Sequence, residues 1–167
     1  MPGYFRQETT QTGYSLYAIE KDWWVTMVLK ALFETKCADY IVFKGGTSLS
    51  KCWNLIERFS EDIDIAINRD FFGITNISSK NQRDKLRKSS SKYIQDELIA
   101  ELTQKMHKAD ISDFSIELVQ TESSDKDPRV ILIKYSSLFP ENKKQCNCYD
   151  YCCNRQYYIG YSIYFQI

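Results

Sequence analysis

Two short stretches hold residue types that can do chemistry together: Phe43-Lys44-Gly45-Gly46-Thr47-Ser48 and Asp62-Ile63-Asp64. Glycine has no Cβ, so the backbone at Gly45-Gly46 can approach a ligand closely and adopt positive φ. A helix starting there would leave its first N–H groups without intrahelical partners and would turn a positive dipole end toward an anion. The hydroxyls of Thr47 and Ser48 add donors for phosphate oxygens. Asp62 and Asp64 stand at i and i+2, which on a strand share one face. Two carboxylates so placed repel each other unless a cation lies between them, and hard oxygen donors suit Mg²⁺. Two such ions about 4 Å apart would hold an attacking hydroxyl and a leaving pyrophosphate in line. Each stretch alone has an ordinary explanation, a strand-to-helix turn in one case and the solvated face of an edge strand in the other. Their order along the chain joins them.

The surrounding elements follow from periodicity. Tyr17 to Phe33 is helical, with Ile19, Trp23, Met27 (or Val28) and Ala31 (or Leu32) recurring at spacings of three and four; Glu20 and Asp22 fall in its first turn. Tyr40 to Phe43 is a short apolar run rich in β-branched and aromatic residues, read as a buried strand. Gly45-Gly46 ends it, and Thr47 or Ser48 can cap a short helix reaching toward Leu55. Residues 62–67 alternate acid and apolar, a half-buried strand. A long helix covers residues 80–107, with Leu86, Tyr93 (or Ile94), Leu98 and Leu102 inside. Phe114–Val119 and Val130–Tyr135 form a hairpin about the Ser, Asp and Pro of residues 121–128, and Tyr157–Ile167 is a final strand.

With 167 residues, 43% of them apolar, the chain suits a single domain over 1–167, led in by a polar segment, residues 1–16, that is extended or poorly ordered. No stretch reaches the roughly 18 to 20 apolar residues that span a bilayer, and the first eight residues lack a signal-peptide core, so the expected location is the cytoplasm. The 22 basic and 22 acidic residues cancel, which excludes a global basic field for nucleic acid and leaves only local patches. Cys37 and Cys52 sit in apolar, core-like segments, and reduced thiols are expected throughout.

A strand, Gly-Gly-Thr-Ser, a short helix and a strand opening on Asp-x-Asp resemble the signature of the DNA polymerase β-like nucleotidyltransferase superfamily. Residues 43–51 and Ile56-Glu57-Arg58-Phe59-Ser60-Glu61-Asp62-Ile63-Asp64 narrow this to a resemblance to the AbiEii/AbiGii toxin nucleotidyltransferases, as does Glu20–Thr26 with Leu29–Phe33. The resemblance runs from about residue 17 to about residue 140 and implies an α+β nucleotidyltransferase fold, a small mixed β-sheet flanked by helices. It implies a toxin of a bacterial toxin–antitoxin or phage-defence pair, with an antitoxin protein as partner. The activity it implies is Mg²⁺-dependent transfer of a nucleoside monophosphate from an NTP to an acceptor hydroxyl, in some members the 3′ end of tRNA. Carried over, Gly45, Gly46, Thr47 and Ser48 hold the triphosphate, Lys51 reaches a phosphate, and Asp62 and Asp64 bind the metals. Arg58 and Ser60 brace the loop before the acidic strand, and Lys44 is either a ligand or a solvated strand-end lysine.

The superfamily pattern adds a third carboxylate on a later strand, which completes the metal site or takes the acceptor's proton. The segment that should hold it, Tyr158–Ile167, contains no acid and offers only Gln166. Glu117 is the best substitute as a third catalytic carboxylate, with Asp113 and Asp150 weaker. Residues 145–167 are an atypical tail, and composition changes abruptly after Lys144: residues 146–167 hold four Cys and six Tyr. The further helical region implied by the resemblance does not follow. We therefore expect a truncated or frame-shifted member, which a family-like coding sequence in another frame downstream would bear out. The alternative function is a catalytically impaired nucleotide-binding or partner-binding module. Cys146, Cys148, Cys152 and Cys153 lack the usual paired C-x₂-C spacing and read as free thiols rather than a zinc site. Lys80, Arg83, Lys85, Arg87, Lys88 and Lys92 lie within thirteen residues, either a solvated helix surface or a binding surface for RNA backbone or triphosphate. His107, at the end of the same helix, is given no catalytic role.

Overall fold

The computed structural model describes residues 14–56, 62–119, 129–139 and 158–166, the last by backbone path. Helix α1, Leu16–Leu32, opens on Ser15, whose hydroxyl accepts the N–H of Ala18 at 3.2 Å. Strand β1, Ile41–Lys44, runs directly into helix α2, Gly45–Lys51. Strand β2 is Ile63–Ile67. Helix α3, Lys80–Tyr93, starts in a capping box between Ser79 and Gln82. A π turn at Ile94–Leu98 joins it to α4, Ile99–Lys108, so the one long helix expected over residues 80–107 is present with its ladder loosened mid-way. Strands β3, Phe114–Val119, and β4, Arg129–Ser136, form the expected hairpin, and β5 is Tyr158–Gln166.

The strands make one five-stranded sheet in the order β1-β2-β5-β4-β3. Only β2 and β5 are parallel; the other neighbours are antiparallel, so the sheet is mixed. Side chains alternate across it. Ile63, Ile65 and Ile67 of β2 and Ile131, Ile133 and Tyr135 of β4 are buried in one core with Val25, Val28, Leu32, Leu98 and Leu102 of the helices. Burial of each such aliphatic side chain stabilises the fold by about 2 kcal/mol. Asp64 and Ala66 alternate with the buried isoleucines and so lie on the opposite face, beside their register partners Lys44 and Val42 of β1.

The inner stripe of α1 matches the expected one at Ile19, Val28, Ala31 and Leu32 and differs at Trp23, whose place is taken by Trp24. Trp24, Val25, Val28 and Leu29 are buried, whereas Trp23 and Met27 only pack against the margin of the core. Adjacent apolar residues leave the stripe ambiguous in sequence; the sheet settles it, because Trp24 stacks on Tyr135 with ring centroids 4.2 Å apart. Cys37 is buried as expected, but Cys52 is exposed just past the end of α2.

Glu20 and Asp22 lie beyond the first turn of α1, and both have tertiary partners rather than a dipole role. The Glu20 carboxylate is buried and accepts hydrogen bonds from the Ser137 hydroxyl at 2.6 Å and the Leu138 N–H at 2.7 Å. Burial pushes this carboxyl above its ordinary value of 4.5, against the two donors, which pull it down. Stability from a carboxyl raised in the folded state is full below the unfolded value and lost as pH rises through the folded one. Glu20→Gln keeps an acceptor and removes the titration. The variant should therefore gain stability relative to the parent between pH 4.5 and neutrality, read from urea midpoints. A constant difference across that range would contradict this account.

Candidate active site

The two chemical stretches meet at one end of β1 and β2. Lys44 ends β1 in register with Asp64, and the chain turns at once into α2 at Gly45, with φ +73°. This turn is where glycine is required. A Cβ on Gly45 would fall into the carboxylate of Asp64, so the bare backbone is what lets that carboxylate lie against the start of α2. Asp62, exposed, immediately precedes β2, and its main-chain carbonyl accepts a hydrogen bond from the Thr47 hydroxyl. The acid-bearing end of β2 is thus tied to the Gly-Gly turn twice, by contact at Asp64 and by hydrogen bond at Asp62.

That arrangement alters the roles expected of the hydroxyls. Thr47 and Ser48 are buried, and the Thr47 donor already serves Asp62. The first main-chain N–H groups of α2, a seven-residue helix with a small dipole, are further donors at this turn.

Lys51 does not reach toward the turn. Its ammonium pairs with Asp22 of α1 at 2.7 Å and donates to the Thr26 hydroxyl at 2.9 Å, and that hydroxyl in turn donates to the Asp22 carbonyl at 2.8 Å. The far end of α2 is therefore pinned to α1, while Thr47 pins its near end to β2. Asp22→Ala and Lys51→Ala should each cost at most about 1 kcal/mol, with a coupling of about 0.5–1 kcal/mol in a double-mutant cycle of urea unfolding. Additive effects would mean that the pair does not form in solution.

Glu117 is not brought to the acidic pair. It lies on β3, the opposite edge of the sheet, with β4 and β5 between it and β2. Three strand spacings are about 14 Å, far beyond metal-bridging reach. Its carboxylate pairs instead with Lys134 of β4 at 2.6 Å. The strand beside β2 is β5, in the place where a third acid was sought. There Tyr164 is in register with Asp64, and Gln166 with Ala66. Asp113 is exposed in the approach to β3. Arg58, Ser60, Asp150 and the cysteines from 146 to 153 lie outside the described residues. Among the described residues no three His, Cys, Asp or Glu side chains form a metal cluster, and no helix is long and apolar enough to cross a membrane. His107 contacts the Ile111 carbonyl at 3.1 Å and packs on Phe114, a structural position at the end of α4.

Sequence comparison decides the family. The model for the nucleotidyl transferase AbiEii toxin, of type IV toxin–antitoxin systems, matches residues 28–147, well over half of the chain. The chain belongs to the AbiEii nucleotidyl transferase toxin family. The match spans both chemical stretches, with β1, α2 and β2, and ends before β5. AbiEii membership brings with it a nucleotide as substrate and an antitoxin as partner. No curated protein and no solved structure matches the chain.

Proposed function

We propose that this AbiEii chain transfers a nucleoside monophosphate from an NTP to an acceptor hydroxyl on RNA, with the 3′ end of tRNA as the first acceptor to test. The observation that supports it is the contact of Gly45 with Asp64, which sets a carboxylate against a turn suited to close approach by phosphates. Asp62 and Asp64 fit a divalent ion in their donor chemistry: Mg²⁺ is commonly held through one or two carboxylates, with substrate phosphates and water filling the remaining positions. When bound there, Mg²⁺ would offset charge on the triphosphate. The chain's own part is positioning. Gly45 and Gly46 admit the triphosphate, Thr47 holds Asp62 in place, and the Lys51–Asp22 pair holds α2.

A second reading has its own support. With Tyr164 in register with Asp64, the strand neighbouring β2 contributes no acid to take a proton from the acceptor. That favours a nucleotide-binding or antitoxin-binding module of reduced activity. One experiment separates the two: labelled NTPs incubated with Mg²⁺ and total RNA, beside calorimetry of Mg²⁺–NTP binding. Transfer supports the enzyme; binding without transfer to any RNA supports the module and opposes the enzyme.

A further inference from the structure

We propose that the outer surface of α3 is a docking surface for the phosphate backbone of RNA, separate from the acidic pair. As the place where the acceptor docks it rests on the function proposed above; as a nucleic-acid surface it stands on the helix itself. Lys80, Arg83, Lys85, Arg87, Lys88 and Lys92 are all exposed, while Leu86, Ser90 and Tyr93 anchor the helix inward. Six of the 22 basic residues and one of the 22 acidic residues, Asp84, fall in this stretch, so the rest of the chain is net acidic. The positive charge is concentrated here.

Five of these six cations are also uncommitted to an acid among the described residues. Lys36, Lys51 and Lys134 each pair with an acid, but Lys80, Arg83, Lys85, Lys88 and Lys92 make no ion pair among the described residues. Arg87 lies 3.9 Å from Asp84. At i, i+3 and i+4 spacings the cations form two rows, Lys85-Lys88-Lys92 and Arg83-Arg87, along about 14 Å of helix. A linear polyanion suits such rows.

The residue types on this face decide between partners. A protein interface depends on a few aromatic or apolar anchors seated in pockets. Between Lys80 and Lys92 the outer face of α3 has none: the remaining residues there are Asn81, Gln82, Asp84, Ser89 and Ser91. Without an aromatic side chain it also has no platform for stacking bases. Binding is therefore carried by phosphate contacts, weak in sequence preference and steep in salt dependence.

The test uses the full chain and fluorescein-labelled total tRNA, with anisotropy followed between about 50 and about 200 mM salt. Each phosphate contact contributes a slope of about 0.7 in log Kd against log salt for single strands and about 0.9 for a duplex. The triple variant Lys85→Gln, Lys88→Gln and Lys92→Gln should flatten that slope by about two and weaken low-salt binding at least about tenfold. Glutamine matches lysine in helix propensity, so circular dichroism should be unchanged. If the triple variant fails to fold, Arg83→Gln with Arg87→Gln reads the other row, with a flattening of at least about one. Binding is read without NTP or Mg²⁺, which keeps this result distinct from loss of transfer. An unchanged slope in the lysine and arginine variants overturns the proposal. So does poly-glutamate that binds as tightly as tRNA and is lost equally in the variants, which would assign the surface to an acidic protein.

Discussion

Asp62→Asn and Asp64→Asn are each expected to lower nucleotide transfer to RNA by about 10³-fold or more while leaving the melting temperature unchanged or slightly higher. A thousandfold is about 4 kcal/mol of lost transition-state stabilisation, the scale of removing a preorganised electrostatic group from an active site. Asparagine keeps the shape of aspartate and one oxygen acceptor but cannot supply charge to a cation. Asp62 is exposed, and it enters the fold through its main-chain carbonyl, which the substitution retains. Asp64 sits on the face away from the core, where asparagine fits the space beside Gly45. Neutralising one acid also relieves repulsion between two carboxylates at i and i+2. The measurement pairs labelled-nucleotide incorporation with thermal denaturation. Transfer that persists in both variants would remove the acidic pair from the mechanism; a large drop in melting temperature would make it structural.

Gly45→Ala has the second largest expected effect, and Gly73→Ala is its control. Both glycines have left-handed backbone, φ +73° and φ +68°. Alanine in that region costs roughly 1–2 kcal/mol at either position. The two differ in what a new methyl group meets: nothing within 4 Å at Gly73, the Asp64 carboxylate at Gly45. Gly73→Ala should therefore show the conformational cost alone, with normal Mg²⁺–NTP binding. Gly45→Ala must also displace Asp64 or the start of α2, and with α2 the Thr47–Asp62 tie. We expect about 2–4 kcal/mol of destabilisation in urea and at least about a hundredfold loss of NTP affinity. Equal effects at the two glycines would mean that Asp64 does not rest against this turn.

These expectations differ in how much of each was visible beforehand. The alternation of Asp62-Ile63-Asp64-Ile65-Ala66-Ile67 read as a strand with its isoleucines inward, and β2 forms that way from Ile63 onward, with Asp64 on the outer face and Asp62 just before the strand. The glycine pair marked the turn, and the hairpin of β3 and β4 followed from two strand-like runs about a polar turn. The inner residues of the long helix were readable at helical spacing, and the π turn did not change which of them are buried. Family membership was legible in the same two motifs and is what the comparison returned.

Other features depend on which elements become neighbours. Lys51 looks like a ligand beside Gly-Gly-Thr-Ser, but Asp22, its actual partner, belongs to a helix that precedes the turn by a whole strand. Glu117 has the right chemistry and the wrong strand: nothing local in β3 says that β4 and β5 will stand between it and β2. Thr47 offers a hydroxyl in sequence, and only the return of the chain at Asp62 uses it. By itself, then, the sequence determined the main elements, the inward isoleucines of β2 and the family, because those depend on periodicity and spacing within a few residues. The tertiary structure alone decided strand order, the partners of Lys51 and Thr47, and the closure of Gly45 on Asp64, because strand neighbours and side-chain contacts arise between segments far apart in the chain.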